Sequence, residues 1–191
     1  VYGGSSDLDL RGVPVLTPEL LTPSGFVDQP QHQGPRNYHT AAVLLPDGRV
    51  FVGGADARTV DYQIYDPPYL TNGRPRPRKI GCNLPAVVGG MHYSDNDPQA
   101  VYTAWWDENL PPGVTVAKVV LIRPGCVTHH TDVETRYLQL PLVPADDDGE
   151  PEARIRFRGP RNSAVAPSGW YMLFLVTNDG VPGEALWVHL R

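Results

Sequence analysis

The sequence predicts an all-β chain, and three observations point there. Proline and glycine punctuate it throughout, with 21 Pro and 19 Gly among 191 residues, above ordinary usage of roughly 5% and 7%. The prolines recur at intervals too short for helices. The hydrophobic fraction of 41% still supplies buried cores, so disorder is a poor overall reading, and the glycines show no collagen-like period. Many short strands joined by turns satisfy all three. Net charge excludes a further class: 16 Lys+Arg against 21 Asp+Glu gives −5, whereas nucleic-acid binders show a basic surplus or stripe. No run of 18 apolar residues offers a membrane span, and no charged-then-apolar leader opens the sequence.

The first elements are repeats. Val50-Phe51-Val52-Gly53-Gly54 closes an apolar run with a double glycine, and Val1-Tyr2-Gly3-Gly4 ends the same way 50 positions earlier. Gln63-Ile64-Tyr65-Asp66-Pro67 follows the later copy and Glu19-Leu20-Leu21-Thr22-Pro23 the earlier. A period near 50 is that of kelch-type propeller blades, in which a double glycine lets backbones approach closely. The later copy predicts three strands: His39–Leu45, ending at a Pro46-Asp47-Gly48 turn, then Arg49–Val52, then Tyr62–Tyr65. Residues 1–67 are thus expected to form about one and a half blades. A propeller needs roughly four to eight blades, and one blade cannot bury its faces alone. The expectation is a C-terminal part of a longer protein, partnered by upstream blades.

Asp66 to Arg78 is turn-rich and reads as an interdomain connection. Its basic cluster, Arg74, Arg76, Arg78 and Lys79, is broken by Pro75 and Pro77 and reads as a solvated linker. Seven strand-like runs follow: Ala86–Val88, Ala100–Trp106, Lys118–Arg123, Arg136–Val143, Ala153–Arg158, Gly169–Val176 and Ala185–Leu190. Arg154-Ile155-Arg156-Phe157-Arg158 alternates in the manner of a half-buried strand. Seven such runs predict an immunoglobulin-like β-sandwich over 68–191. The acidic Asp146–Glu150 cluster reads as a hairpin loop without the ligand spacing of a calcium site. Trp105, Trp106 and Trp170 raise a sugar platform, though strand tryptophans are more often core or interface residues.

Among six histidines, two contexts stand out. Tyr38-His39 enters a blade strand just after Gly34-Pro35-Arg36-Asn37. Gly125-Cys126-Val127-Thr128-His129-His130 lies at the end of an apolar strand. Adjacent side chains of a regular strand point to opposite faces. Tyr38 and His39 therefore share an ion only where the backbone is irregular, and only one of His129 and His130 faces a given site. Imidazole and phenolate together suit Cu(II), whereas zinc more often recruits thiolates or three histidines. Structural histidines are the competing reading.

The stretch Arg36-Asn37-Tyr38-His39-Thr40-Ala41-Ala42-Val43-Leu44-Leu45-Pro46-Asp47-Gly48-Arg49-Val50 resembles the last blade of the galactose oxidase/glyoxal oxidase family of copper radical oxidases. Tyr65-Asp66-Pro67-Pro68-Tyr69-Leu70 resembles that family's exit from the propeller. Gly125-Cys126-Val127-Thr128-His129 resembles its sandwich histidine loop, and Gly169–Phe174 with Gly180-Val181-Pro182 its closing hairpin. The matches run from about residue 34 to the end.

The resemblance implies a C-terminal fragment of a kelch-type β-propeller followed by an immunoglobulin-like early-set β-sandwich, with a sandwich loop reaching into the propeller. It implies copper (Cu2+) held by Tyr38, His39 and His129, with Tyr38 also the catalytic general base. A radical tyrosine cross-linked to cysteine is expected upstream. The implied reaction oxidises a primary alcohol, aldehyde or carbohydrate while O2 becomes H2O2, at an extracellular or cell-surface location. Cys126 matches no cross-linking position; it reads as a buried small apolar residue or a disulfide partner of Cys82. The alternative is a non-catalytic propeller/sandwich protein that binds glycans or other proteins.

Overall fold

The computed structural model of the chain describes residues 2–5, 12–37, 39–55, 61–84, 90–107, 110–128, 131–134, 136–144 and 153–191. Nearly every regular element is a strand. In chain order they are β1 (Glu19–Thr22), β2 (Gly25–Asp28), β3 (Ala41–Leu44), β4 (Val50–Gly53) and β5 (Tyr62–Tyr65), a one-turn helix α1 (Pro68–Thr71), and β6 (Gly81–Cys82), β7 (Tyr102–Trp105) and β8 (Val116–Ile122). There follow β9 (Val127–Thr128), β10 (Thr131–Asp132), β11 (Tyr137–Gln139), β12 (Leu142–Val143), β13 (Arg154–Phe157), β14 (Gly169–Thr177) and β15 (Leu186–Leu190). No helix among the described residues is long and apolar enough to cross a membrane.

The chain divides into two compact units. The first comprises Val1–Leu45, Arg49–Asp66 and Gly125–Glu134. In it β3, β4 and β5 form an antiparallel three-stranded sheet, with Ala41 opposite Gly53 and Gly53 opposite Tyr62. These are the three strands predicted for the later repeat, although the first begins at Ala41 and leaves His39 outside it. Leu45 N–H donates to Arg49 O (2.8 Å) across the turn, where Gly48 takes φ 87°. In the earlier repeat Glu19–Thr22 pairs with Gly25–Asp28 in a two-stranded hairpin.

The second unit comprises Pro46–Gly48, Pro67–Pro124 and Thr135–Arg191. Two four-stranded sheets, ordered β11-β8-β14-β15 and β12-β13-β7-β6, make a sandwich. Alternate residues of facing strands fill its core: Leu121, Leu173 and Leu175 from one sheet, Tyr102, Ala104 and Phe157 from the other. The predicted strand Arg136–Val143 is in fact two. Leu140 N–H still bonds Val119 O (2.9 Å), whereas Pro141 O accepts from Arg158 N (3.0 Å), so the chain changes sheets between them. Pro141 has no N–H to continue the first ladder. Gly81–Cys82 is a strand that the sequence reading missed, because the ring of Trp105 occupies the space a side chain at Gly81 would need. The predicted run Ala86–Val88 and the acidic Asp146–Glu150 cluster lie outside the described residues.

The basic cluster is solvated at Arg74, Arg78 and Lys79, as expected, but not at Arg76. Pro77 is buried and Arg76 half-buried. Arg76 Nε donates to Pro182 O (3.0 Å) and Nη2 to Asp47 O (2.9 Å). Burial lowers its pKa against the raising effect of Glu184 and Asp47. Arg74 Nη1 donates to Asp179 O (3.0 Å), and Lys79 pairs with Asp107 (3.0 Å). Arg74, Arg76 and Lys79 thus each have a partner in the same unit, and Arg76 is the one drawn into the sandwich surface. Both thiols are free, and Cys126 is exposed, not the buried apolar residue expected.

Candidate metal centre

The segment Arg36–Thr40 is built by glycines. Gly4 N–H donates to Arg36 O (2.8 Å). Gly3, at φ 72°, has no room for a Cβ because the Arg36 carbonyl oxygen occupies that space. Gly54, at φ 81°, lies in the same way against the His39 carbonyl. The double glycines of both repeats therefore abut this one segment, each against a different carbonyl. His39 itself has φ 60°, a left-handed conformation in which histidine is among the tolerated non-glycine residues. The irregular backbone that adjacent Tyr38 and His39 need in order to share an ion is present at His39.

The second piece comes from far along the sequence. In the Gly125–Glu134 hairpin, Thr131 pairs with Thr128 and Asp132 with Val127. One carboxylate oxygen of Asp132 accepts from Cys126 N (3.1 Å) and Glu134 N (3.0 Å), and Val133 N donates to Cys126 O (3.1 Å). β9 packs against β3, and Gly125 lies against Val43. The structure thus places Gly125–Glu134 within the first unit although its flanking residues belong to the second. His39 is described and exposed. Tyr38, His129 and His130 lie outside the described residues, the two histidines falling between Thr128 and Thr131 in sequence.

These pieces line one cavity of about 430 Å³, walled by Tyr2, Gly3, Gly4, Thr40, Ala42, Val127 and Asp132. The Tyr2 hydroxyl is buried with no hydrogen-bond partner among the described residues. Burial, and secondarily the Tyr65 phenol beside it, holds the Tyr2 pKa well above the ordinary tyrosine range. Among the described residues no three or more His, Cys, Asp or Glu side chains are grouped so as to hold a metal ion. The donor set of the sequence reading is of another kind, two imidazoles and a phenolate, which is copper(II) chemistry. The left-handed backbone at His39 and the placement of Gly125–Glu134 in the same unit fit that donor set, whereas the buried Tyr2 phenol, held protonated, lines the cavity beside it.

Residues 97–190 match the galactose oxidase-like, early set domain family. That segment belongs to the galactose oxidase-like early set domain family. The chain is 33% identical over 185 residues to a galactose oxidase of Gibberella zeae, covering 90% of this chain and 24% of that protein. It is 28% identical over 203 residues to the aldehyde oxidase GLOX of Vitis pseudoreticulata, covering 98% of this chain and 37% of that one. A solved structure of a fungal alcohol oxidase of the AA5 family in complex with copper superimposes with a TM-score of 0.70 at 27% identity, over 94% of this chain and 36% of its own. The chain therefore spans about a quarter of the galactose oxidase it matches. Its early-set sandwich and its nearly all-β architecture agree with the sequence reading.

Sequence reasoning missed two contributors in this galactose oxidase-like chain. Tyr2 read only as part of a repeat, and nothing in one sequence marks a phenol as buried. Asp132 carried a signal that went unused: an Asp six residues after Cys126 and two before Glu134 suits a side chain capping its own turn.

Proposed function

We propose that this chain supplies three copper ligands, Tyr38, His39 and His129, to a copper radical oxidase of alcohols or aldehydes. The observation that carries the proposal is the membership of Gly125–Glu134 in the first unit, with β9 packed on the strand that follows His39. A sandwich segment has no reason to leave its own sheets unless its residues act elsewhere. The left-handed backbone at His39 and the copper-bound relative of the same fold support the same reading. The three-stranded sheet of the later repeat is then a kelch-type propeller blade, with 1–67 and 68–191 the two domains.

Copper held by Tyr38, His39 and His129 would supply one-electron redox chemistry, so no dissociable organic cofactor is required. A tyrosine cross-linked to a cysteine, expected on residues outside this sequence, would supply the second one-electron acceptor. The Tyr38 phenolate oxygen accepts the substrate hydroxyl proton as general base. In balance, RCH2OH and O2 give RCHO and H2O2. Substrate, O2 and upstream blades are the partners, and the setting is extracellular or the cell surface.

The test is copper titration of the full chain followed by Cu(II) electron paramagnetic resonance. His39→Ala and His129→Ala should each lower copper affinity at least about 100-fold, while His130→Ala should change it less than about threefold. Equal affinity in all three variants would show that the ligands lie elsewhere. With the radical partner absent from this sequence, the copper-loaded chain should form no peroxide from galactose or methylglyoxal. Clear turnover would overturn that part of the reading.

A further inference from the structure

Arg36 has the most unusual environment in the first unit. Its residue is 0% exposed. Nη1 donates to Asp61 Oδ1 (2.8 Å) and to Gly54 O (3.2 Å), while Nε and Nη2 are buried without a hydrogen-bond partner among the described residues. Asp61, by contrast, is 59% exposed at its side chain.

Burying a guanidinium with donors left over is costly. A well-packed apolar side chain of similar volume often serves stability as well or better than a buried ion pair. Stability alone therefore accounts poorly for an arginine here. Its connections account better. The Arg36 carbonyl lies against Gly3 and accepts from Gly4, so the backbone is fixed from the earlier repeat. The side chain then reaches the carbonyl of Gly54, the glycine that abuts His39 O. One residue joins both double glycines and ends two positions before Tyr38.

We infer that Arg36 is a positioning residue for the metal ligands, fixing the His39 backbone through the Gly54 carbonyl with its guanidinium held by Asp61. The inference rests on the copper reading above. Both bonds come from Nη1, at the end of a planar guanidinium, and a lysine at this position keeps the charge but not the planar group that places that nitrogen between the two oxygens. Outer partners of metal ligands commonly contribute 10- to 100-fold to metal affinity.

The experiment compares Arg36→Lys with the unaltered full chain, measuring Cu(II) affinity by titration, the Cu(II) electron paramagnetic resonance parameters, and the Tm of the metal-free chain. Arg36→Lys should bind copper at least about tenfold more weakly, with shifted resonance parameters that a purely structural role would not produce. Unchanged affinity and spectrum in Arg36→Lys, alongside copper loss in His39→Ala, would overturn the positioning role and leave the copper reading intact. Full copper retention in His39→Ala would overturn both. If Arg36→Lys does not fold, Asp61→Asn carries the test, since its carboxylate is largely solvent-facing. It should weaken copper severalfold with an altered spectrum, and an unaltered spectrum and affinity would overturn the role.

Discussion

Gly54→Ala is the sharpest probe of how the ligand segment is held. Gly54 sits at φ 81°, where the added methyl group would fall on the His39 carbonyl oxygen and lie 3.4 Å from the His39 carbonyl carbon and 3.6 Å from Thr40 Cα. Two costs follow. Holding a non-glycine residue in a left-handed conformation costs roughly 1–3 kcal/mol. Displacing packed backbone adds about 1–3 kcal/mol, as for overpacking in a core. Gly4→Ala separates the two, because Gly4 has φ 110° but nothing within 4 Å of its would-be Cβ. The expected losses are about 2–6 kcal/mol for Gly54→Ala and about 1–3 kcal/mol for Gly4→Ala. Urea denaturation of the two variants and the unaltered chain, compared at a common m-value, measures both. Equal destabilisation, to within about 0.5 kcal/mol, would refute the claim that the His39 carbonyl is pressed by Gly54.

The thiols should separate kinetically. Cys126 is exposed, whereas burial pushes the Cys82 thiol up to about 11, leaving on the order of one thiolate in a thousand at pH 8. A disulfide reagent should consume one thiol quickly and one slowly, with Cys126→Ser abolishing the fast phase; two thiols lost in one phase would contradict this. Cys82 also sets a pH window. Its folded pKa lies above the unfolded value of about 8.5–9, so its contribution is full below pH ~8.5 and is lost as pH rises toward 11, by roughly 2–3 kcal/mol. Urea midpoints from pH 8 to 11 should fall more steeply for the unaltered chain than for Cys82→Ala, and parallel curves would count against it.

Strands were legible where side-chain alternation and turn chemistry coincide. Arg154–Phe157 and the Tyr62–Tyr65 run show this, since each has a patterned face and a clear stop. What stayed hidden depends on partners distant in sequence. Gly81–Cys82 carries no pattern in two residues, and its place follows from the Trp105 ring beside it. Arg136–Val143 reads as one run because the change of sheet at Pro141 leaves hydrophobicity unbroken. Arg76 reads as solvated because its acceptors, Asp47 and Pro182 carbonyls, are 29 and 106 positions away. The site followed the same division. Adjacency of Tyr38 and His39 demanded an irregular backbone, which is a local inference and met φ 60° at His39. The roles of Tyr2, Arg36 and Asp61 depend on burial and on contacts across the repeat, which one sequence does not reveal.

The Gly125–Glu134 hairpin shows where such distant order comes from. Two paired residues on each strand give too little to hold a hairpin in water. Asp132 satisfies two backbone N–H groups within the turn, which fixes its shape but not its place. Its place comes from β3, against which β9 packs, and from Gly125, which lies near Val43 because no side chain intervenes. Holding the described residues of this segment away from the sheets that flank them in sequence costs loop and side-chain entropy. Contacts within the first unit must offset that cost. β9, which leads toward His129 in sequence, packs on the strand that follows His39, so on the proposed copper reading anything that loosens the backbone at Arg36 and His39 should lower copper affinity through both imidazoles. That coupling makes the glycine and arginine variants informative about copper even though none of those residues is itself a ligand.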